Sequence, residues 1–432
     1  MTRWMKLALV SALALLAFGS RDAQAGIAIA PSQDLALLRT SDPFSVSIAV
    51  LEDGHFAIGA SEARPFEPGN PRFRFVVQFY SPEGLPLGEP ISPGGNSQVP
   101  RGAVGSVGDR YFVTWENVRG VTKSGFYDSR GERFGKPFSW PRSEAVDFQR
   151  WYRFAPAPSH KILPLTFRQV GLDSSDRPIL QPIVQVFDRR AHPLGPAFKL
   201  EPISANRTIA IDDLAINGEG RFVVVSLQCP GSPRSRQPCL RGAQSFDRAG
   251  RILQAFSTEA IPQLSGPDRA TSFHAAVRNN GSYALSWIDG FESGDYRFLL
   301  RPYGRDGRPQ ASPLVIAETG GDPISTTILQ NTGAGGFLAS WLVFPPGEPA
   351  SLYLRQIDAS GTHLGDLILV ATDEITAGPV LALNSTGRGV LAWPTRHEQE
   401  FGGRFSLITV TPDAVQFLHD AGQLTEGGRE TP

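Results

Sequence analysis

Beyond residue 45 the chain alternates short apolar runs with turn residues, and helical periodicity is nearly absent. The runs His55–Gly59, Tyr111–Trp115, Ile162–Phe167, Phe222–Leu227, Tyr283–Trp287, Phe337–Trp341 and Val390–Trp393 are rich in Val, Ile, Phe, Leu and Trp and are bounded by Gly, Pro, Asp or Asn. Segments of this length and composition are strands. Several, such as FVVVSL and FLASW, are apolar on both faces rather than alternating. A strand of that kind belongs in a sheet covered on both sides.

Each run is the second strand of a repeated unit. A third strand and its turn recur downstream as VVQFYSPEGLPLG, GFYDSRGERFG, VQVFDRRAHPLG, AQSFDRAGRIL, LRPYGRDGRPQ and LRQIDASGTHLG, with a divergent seventh copy, SLITVTPDAVQ. The turn glycines Gly84, Gly131, Gly250, Gly307 and Gly361, with Ala191 in the third copy, are spaced by 47, 60, 59, 57 and 54 residues. That interval fits four strands per unit. Asp followed three residues later by Gly suits a hairpin in which the carboxylate caps the turn and Gly supplies a positive φ. Units that bury both faces against neighbours stack radially, and closing the ring removes the exposed ends. The predicted fold is all-β: a single β-propeller of about seven four-stranded blades over residues 26–420. The recurrent Trp115, Trp287, Trp341 and Trp393 are read as packing between blades. Either Gly26–Pro31 or Ala414–Leu418 is expected to complete the last blade. The pattern of an apolar strand ending in Trp followed by QxFDxxGxxLG resembles the degenerate repeat of secreted bacterial β-propeller proteins, over roughly Ser45 to Asp420. The resemblance implies an architecture and carries no activity, since this fold hosts adhesins, enzymes and scaffolds alike.

The ends and the charge place the chain. Met1–Ala25 has a basic start (Arg3, Lys6), an apolar run from Leu7 to Phe18 and small residues at Ala23 and Ala25. This is the form of a cleavable signal peptide, cut after Ala25. The expected mature protein is secreted or periplasmic, without membrane insertion, and carries a flexible polar tail over residues 421–432. Losing Arg3, Lys6, Arg21 and Asp22 with residues 1–25 takes the count from 41 basic and 42 acidic residues to 38 and 41. A chain so near neutrality, with no polybasic run, argues against nucleic acid as a partner. Cys229 and Cys239 bracket one Pro/Gly-rich loop and are expected to form a local disulfide in an oxidising compartment.

Candidate chemistry concentrates in the variable loops after the second strands, which all leave on one face, opposite the tight Asp/Gly hairpins. They carry Glu62, Arg64, Glu116, Asn117, Arg119, Asp289, Glu292, Asp295, Arg396, His397, Glu398 and Glu400. Of these, Glu116, Asp289 and Arg396 directly follow the strands. Paired acids such as Glu116 and Asp289 suffice for glycoside hydrolysis if about 5–10 Å apart. No catalytic set is otherwise legible. The sialidase Asp box SxDxGxTW is missing, as are GxSxG and phosphate loops, and His397-Glu-Gln-Glu-Phe401 lacks the last histidine of HExxH. No cofactor or metal is implied. Sequons occur at Asn206, Asn280 and Asn384. The function expected is that of a monomeric, non-catalytic binding or scaffold protein presenting its loop face to a protein or glycan, with a carbohydrate-active hydrolase or lyase on the same face as the alternative.

Overall fold

A computed structural model gives the fold. It describes residues 27–35, 46–64, 72–94, 102–117, 121–139, 151–154, 161–172, 178–188, 190, 192–195, 197–199, 207–230, 240–257, 273–289, 294–333, 335–373, 375, 378–397 and 400–411. These build seven antiparallel sheets, numbered 1 to 7 along the chain, each a meander that begins with an inner strand. The inner strands are Val46–Val50, Gly102–Val107, Trp151–Phe154, Arg207–Ile216, His274–Val277, Ile324–Asn331 and Val380–Leu383. Each touches the inner strand of the next sheet, and the seventh touches the first. The result is a closed ring of sheets around an axis: one all-β propeller.

All seven apolar runs read from the sequence fall on second strands, with only His55 outside: Phe56–Arg64, Arg110–Glu116, Lys161–Leu172, Phe222–Pro230, Tyr283–Asp289, Phe337–Val343 and Arg388–His397. The uniform four strands per blade are not found. Sheets 2, 4, 5 and 6 have four strands, sheets 3 and 7 five, and sheet 1 three. In sheet 1 the outer strand is reduced to isolated bridges, Val77 with Ile91 and Tyr80 with Pro86. Pro82, Pro86, Pro90 and Pro93 deprive that segment of the N–H donors a ladder needs. In sheet 3 the third strand is split into Pro178–Val184 and Phe187–Asp188, both paired with the second strand, and the outer strand is only Phe198–Lys199. Sheet 7 is closed by the start of the chain. Ile27–Ile29 pairs with the third strand Glu400–Val410, Ile27 facing Val410 and Ile29 facing Ile408, and Gln33–Asp34 pairs further along the same strand. Of the two closures considered, the N-terminal one is present; Ala414–Leu418, the signal segment and the tail lie outside the described residues.

The core is a set of clusters between sheets. Trp287 stacks on Phe273 at 6.3 Å within a cluster that reaches Val223 and Val225 of sheet 4. Trp341 meets Phe298 of sheet 5 at 5.6 Å, and Trp393 packs among Leu338, Leu342 and Leu354 of sheet 6. These tryptophans are at most 1% exposed, which leaves them no surface for a ligand. In sheet 1, which lacks the Trp, the Phe75 ring fills the gap. A Cβ on Gly102 of sheet 2 would stand 2.2 Å from that ring.

The outer hairpins form as their sequence requires. Asp128 Oδ1 accepts from the backbone N–H groups of Arg130 and Glu132 at 2.9 and 2.8 Å, and Asp188, Asp247 and Asp358 cap their turns in the same way. Gly131, Gly250 and Gly361 take φ of 85°, 71° and 72°, the left-handed region a side chain disfavours.

A second capping device sits in the inner turns. Asn217 Oδ1 accepts from the N–H groups of Glu219 and Arg221, while its Nδ2 donates to Arg278 O in the next sheet at 2.7 Å. Asn384 does the same across the ring closure: Oδ1 takes the N–H groups of Thr386 and Arg388, and Nδ2 donates to Leu51 O at 2.9 Å. Being 1% exposed and committed on both amide atoms, Asn384 is no glycan acceptor despite its sequon. These contacts put the inner turns of successive sheets at one end of the ring. Contact of Gly54 with Pro82 and of Gly220 with Arg248 adds the outer hairpins to that same face. The loops joining second to third strands therefore leave on the opposite face.

Candidate functional site

The loop face begins where second and third strands part. In sheet 1, Glu62 and Arg74 are register partners and form an ion pair at 3.0 Å. In sheet 5, Asp289 and Arg297 repeat the arrangement at 2.8 Å. Glu116 holds the corresponding place in sheet 2, opposite Thr122, and is only 7% exposed. Asn117 shapes its own loop: its Oδ1 accepts from the Val121 N–H at 3.0 Å, and its backbone N–H donates to Val121 O. Asp295 opens the third strand of sheet 5 and is exposed, as is Arg396 opposite Phe401 in sheet 7. Arg64 faces Arg72, and His397 faces Glu400. Arg119, Glu292 and Glu398 fall outside the described residues, as does Cys239, while Cys229 is the next-to-last residue of the second strand of sheet 4, opposite Thr208. Glu116 and Asp289 belong to sheets 2 and 5, which are not neighbours in the ring.

The axis holds a cavity of about 370 Å³ lined by inner strands of sheets 1, 2, 4, 5, 6 and 7. Its lining follows a rule that only the register reveals. The inner turns begin at Leu51, Val107, Asn217, Arg278, Thr332 and Asn384. Two residues before these points stand Ala49, Gly105, Ala215, Ala276, Gln330 and Ala382, a tier of small residues with one exception. Close approach of the strands to the axis accounts for the small side chains. Four residues before stand Ser47, Ala103, Asp213, His274, Ile328 and Val380. Here the polar members bridge sheets. Ser47 Oγ accepts from the Val104 N–H at 3.0 Å, and Asp213 Oδ2 accepts from the Ala275 N–H at 2.8 Å. Asp213 Oδ2 also lies 3.6 Å from His274 Nδ1. Asp213 is 5% exposed, and a carboxylate so buried needs such partners. Sequence reasoning missed both residues because they sit in apolar inner strands rather than loops. The repeated offset from the turn Asn or Gly is the signal that could have found them.

On the hairpin face Arg278 lies over the Phe337 ring, with Cζ 4.4 Å from its centroid. Burial pushes its guanidinium down to about 10, against the opposing pull of Asp358. Among the described residues no group of three or more His, Cys, Asp or Glu side chains is placed to hold a metal ion.

Fold and site define a β-propeller with an axial cavity and one face of irregular loops. No protein-family model matches the sequence, and no curated protein does. Solved structures similar to it include a protein of unknown function from Dyadobacter fermentans, at 11% identity and a TM-score of 0.47 over 89% of this chain and 100% of that one. A fungal alcohol oxidase in complex with copper matches at 11% identity and 0.46, over 88% and 76%. The intramolecular trans-sialidase of Ruminococcus gnavus matches at 11% and 0.41, over 85% and 95%. The fold rests on the chain's own sheets and register rather than on these likenesses.

Proposed function

We propose that this is an exported, non-catalytic binding or scaffold protein that presents its loop face to a protein or glycan partner. The observation that carries the reading is the state of the loop-base carboxylates. Glu62 and Asp289 are each neutralised by an arginine on the adjacent strand, and Glu116 is buried at its strand end. A retaining or inverting glycosidase needs two carboxyl groups bracketing one bond, one of them able to carry a proton. Here each of the two carboxylates is committed to an ion pair within its own sheet rather than set opposite a second acid. Asn117, Asp295 and Arg396 then serve as polar contacts, joined by Arg119, Glu292, His397 and Glu398. The repeat is that of secreted bacterial propellers, the leader is cut after Ala25, and Cys229 and Cys239 brace the loop between them.

Screening the purified chain on glycan and secreted-protein arrays tests the reading. Binding that is lost when Asp295 and Arg396 are both changed to Ala, with the melting temperature unchanged, supports it. Polysaccharide turnover that disappears in Glu116→Gln or Asp289→Asn would replace it with the hydrolase alternative. Intact mass of the exported chain reads both the cleavage point and the two-hydrogen loss of a disulfide.

A further inference from the structure

We propose that the axial cavity is a separate binding site for an uncharged, mainly apolar small molecule bearing one hydroxyl or carbonyl group. Its volume of about 370 Å³ lies within the range of small-molecule pockets, roughly 300–1,000 Å³. The wall is two-sided. Sheets 7 and 1 contribute an aliphatic arc that includes Val46, Ile48 and Val380, and sheets 4 to 6 contribute a polar arc of Asp213, His274 and Gln330.

Two observations select the ligand. His274 has Nδ1 turned to Asp213, so Nε2 is the ring nitrogen left for a ligand. Gln330 interrupts a tier that is otherwise Ala or Gly, and so places an amide where sheets 1, 2, 4, 5 and 7 leave room. Among the described residues that line the cavity there is no Lys or Arg, and the single carboxylate is committed to Ala275 and His274. A ligand anion would meet that carboxylate with no Lys or Arg to offset it. A ligand cation would have to take Asp213 from its bridge between sheets.

The test uses three probes of one shape: cyclohexanol, cyclohexanecarboxylate and cyclohexylamine, titrated at pH 7 into the purified chain and followed by saturation-transfer NMR. Cyclohexanol is expected to bind saturably, and the two charged probes at least tenfold more weakly. Gln330→Leu should weaken cyclohexanol at least fivefold; it keeps the test alive if His274→Phe fails to fold. Absence of saturable cyclohexanol binding overturns the site, as does equal binding of cyclohexanecarboxylate or affinity untouched by Gln330→Leu. The Asp295/Arg396 double variant should bind cyclohexanol as the unaltered chain does, so that loss of the loop-face partner and loss of the cavity ligand are read independently.

Discussion

Asn217 and Asn384 show how much a single side chain does in this ring. Each caps its own turn with Oδ1 and ties the next sheet with Nδ2, so truncation leaves buried backbone groups unpaired on both sides of a sheet boundary. Asn217→Ala is expected to cost about 1–3 kcal/mol, read as a lowered urea midpoint with an unchanged slope. Asn384→Asp keeps the cap but sets a buried carboxylate oxygen against Leu51 O in place of the donor, and should cost at least as much. Asp358 gives a pH signature. Burial alone would raise its carboxyl, but the hydroxyl of Ser360, the backbone N–H groups of His363 and Thr362 and the His363 ring outweigh burial and hold it at about 2. A depressed folded value means the contribution is present above the unfolded value near 4 and is lost as pH falls toward 2. Asp358→Asn should flatten that limb of the stability curve, by about 1 kcal/mol after solvent screening. The capping Asp residues were legible because Asp-x-x-Gly encodes its own turn. The inner-turn asparagines were visible only as turn formers, since the second bond runs to a residue some 60 positions away, or across the closure.

Among the elements, second strands were the most legible: continuous apolar runs ending in Trp declare burial on both faces. Outer strands were the least, because they are exposed on one side and tolerate Pro, as sheet 1 shows at Pro86 and Pro93. Packing between elements makes two quantitative demands. Trp341→Ala removes a side chain that is 1% exposed and meets Phe298 and Tyr353, and is expected to cost about 3–5 kcal/mol in chemical denaturation. Gly102→Ala drives a methyl to within 2.2 Å of the Phe75 ring, and should cost about 1–3 kcal/mol by overpacking. Phe75→Leu in the same chain should recover part of that loss if the clash is the cause.

For the whole molecule, the candidate site divides by legibility. The loop face could be read from insertions between strands, and the axial lining could not, because His274 and Asp213 look like isolated polar residues until sheets 4 and 5 bring them to 3.6 Å. Closure of the ring makes its own prediction. Deleting residues 27–34 removes the strands that complete sheet 7 and exposes the edge of Glu400–Val410. Hydrogen exchange should then rise first in sheet 7 and in the sheet 1 residues packed on it, Val50, Phe56 and Tyr80 with Val390 and Phe405. Uniform loss of protection instead would mean that the ring opens as one unit.

The pairing of Ile27 with Val410 bears on mechanical resistance. The two strands are antiparallel, so the entering and leaving chain lie at the same end of the pair. Tension applied through Ile27 and Val410 loads the first backbone hydrogen bonds alone and opens them one after another, like a zipper. It does not shear all of them together. A ring with a buried core at every sheet boundary thus has a low-force seam, and tension along its own chain would breach it there before any tryptophan moved.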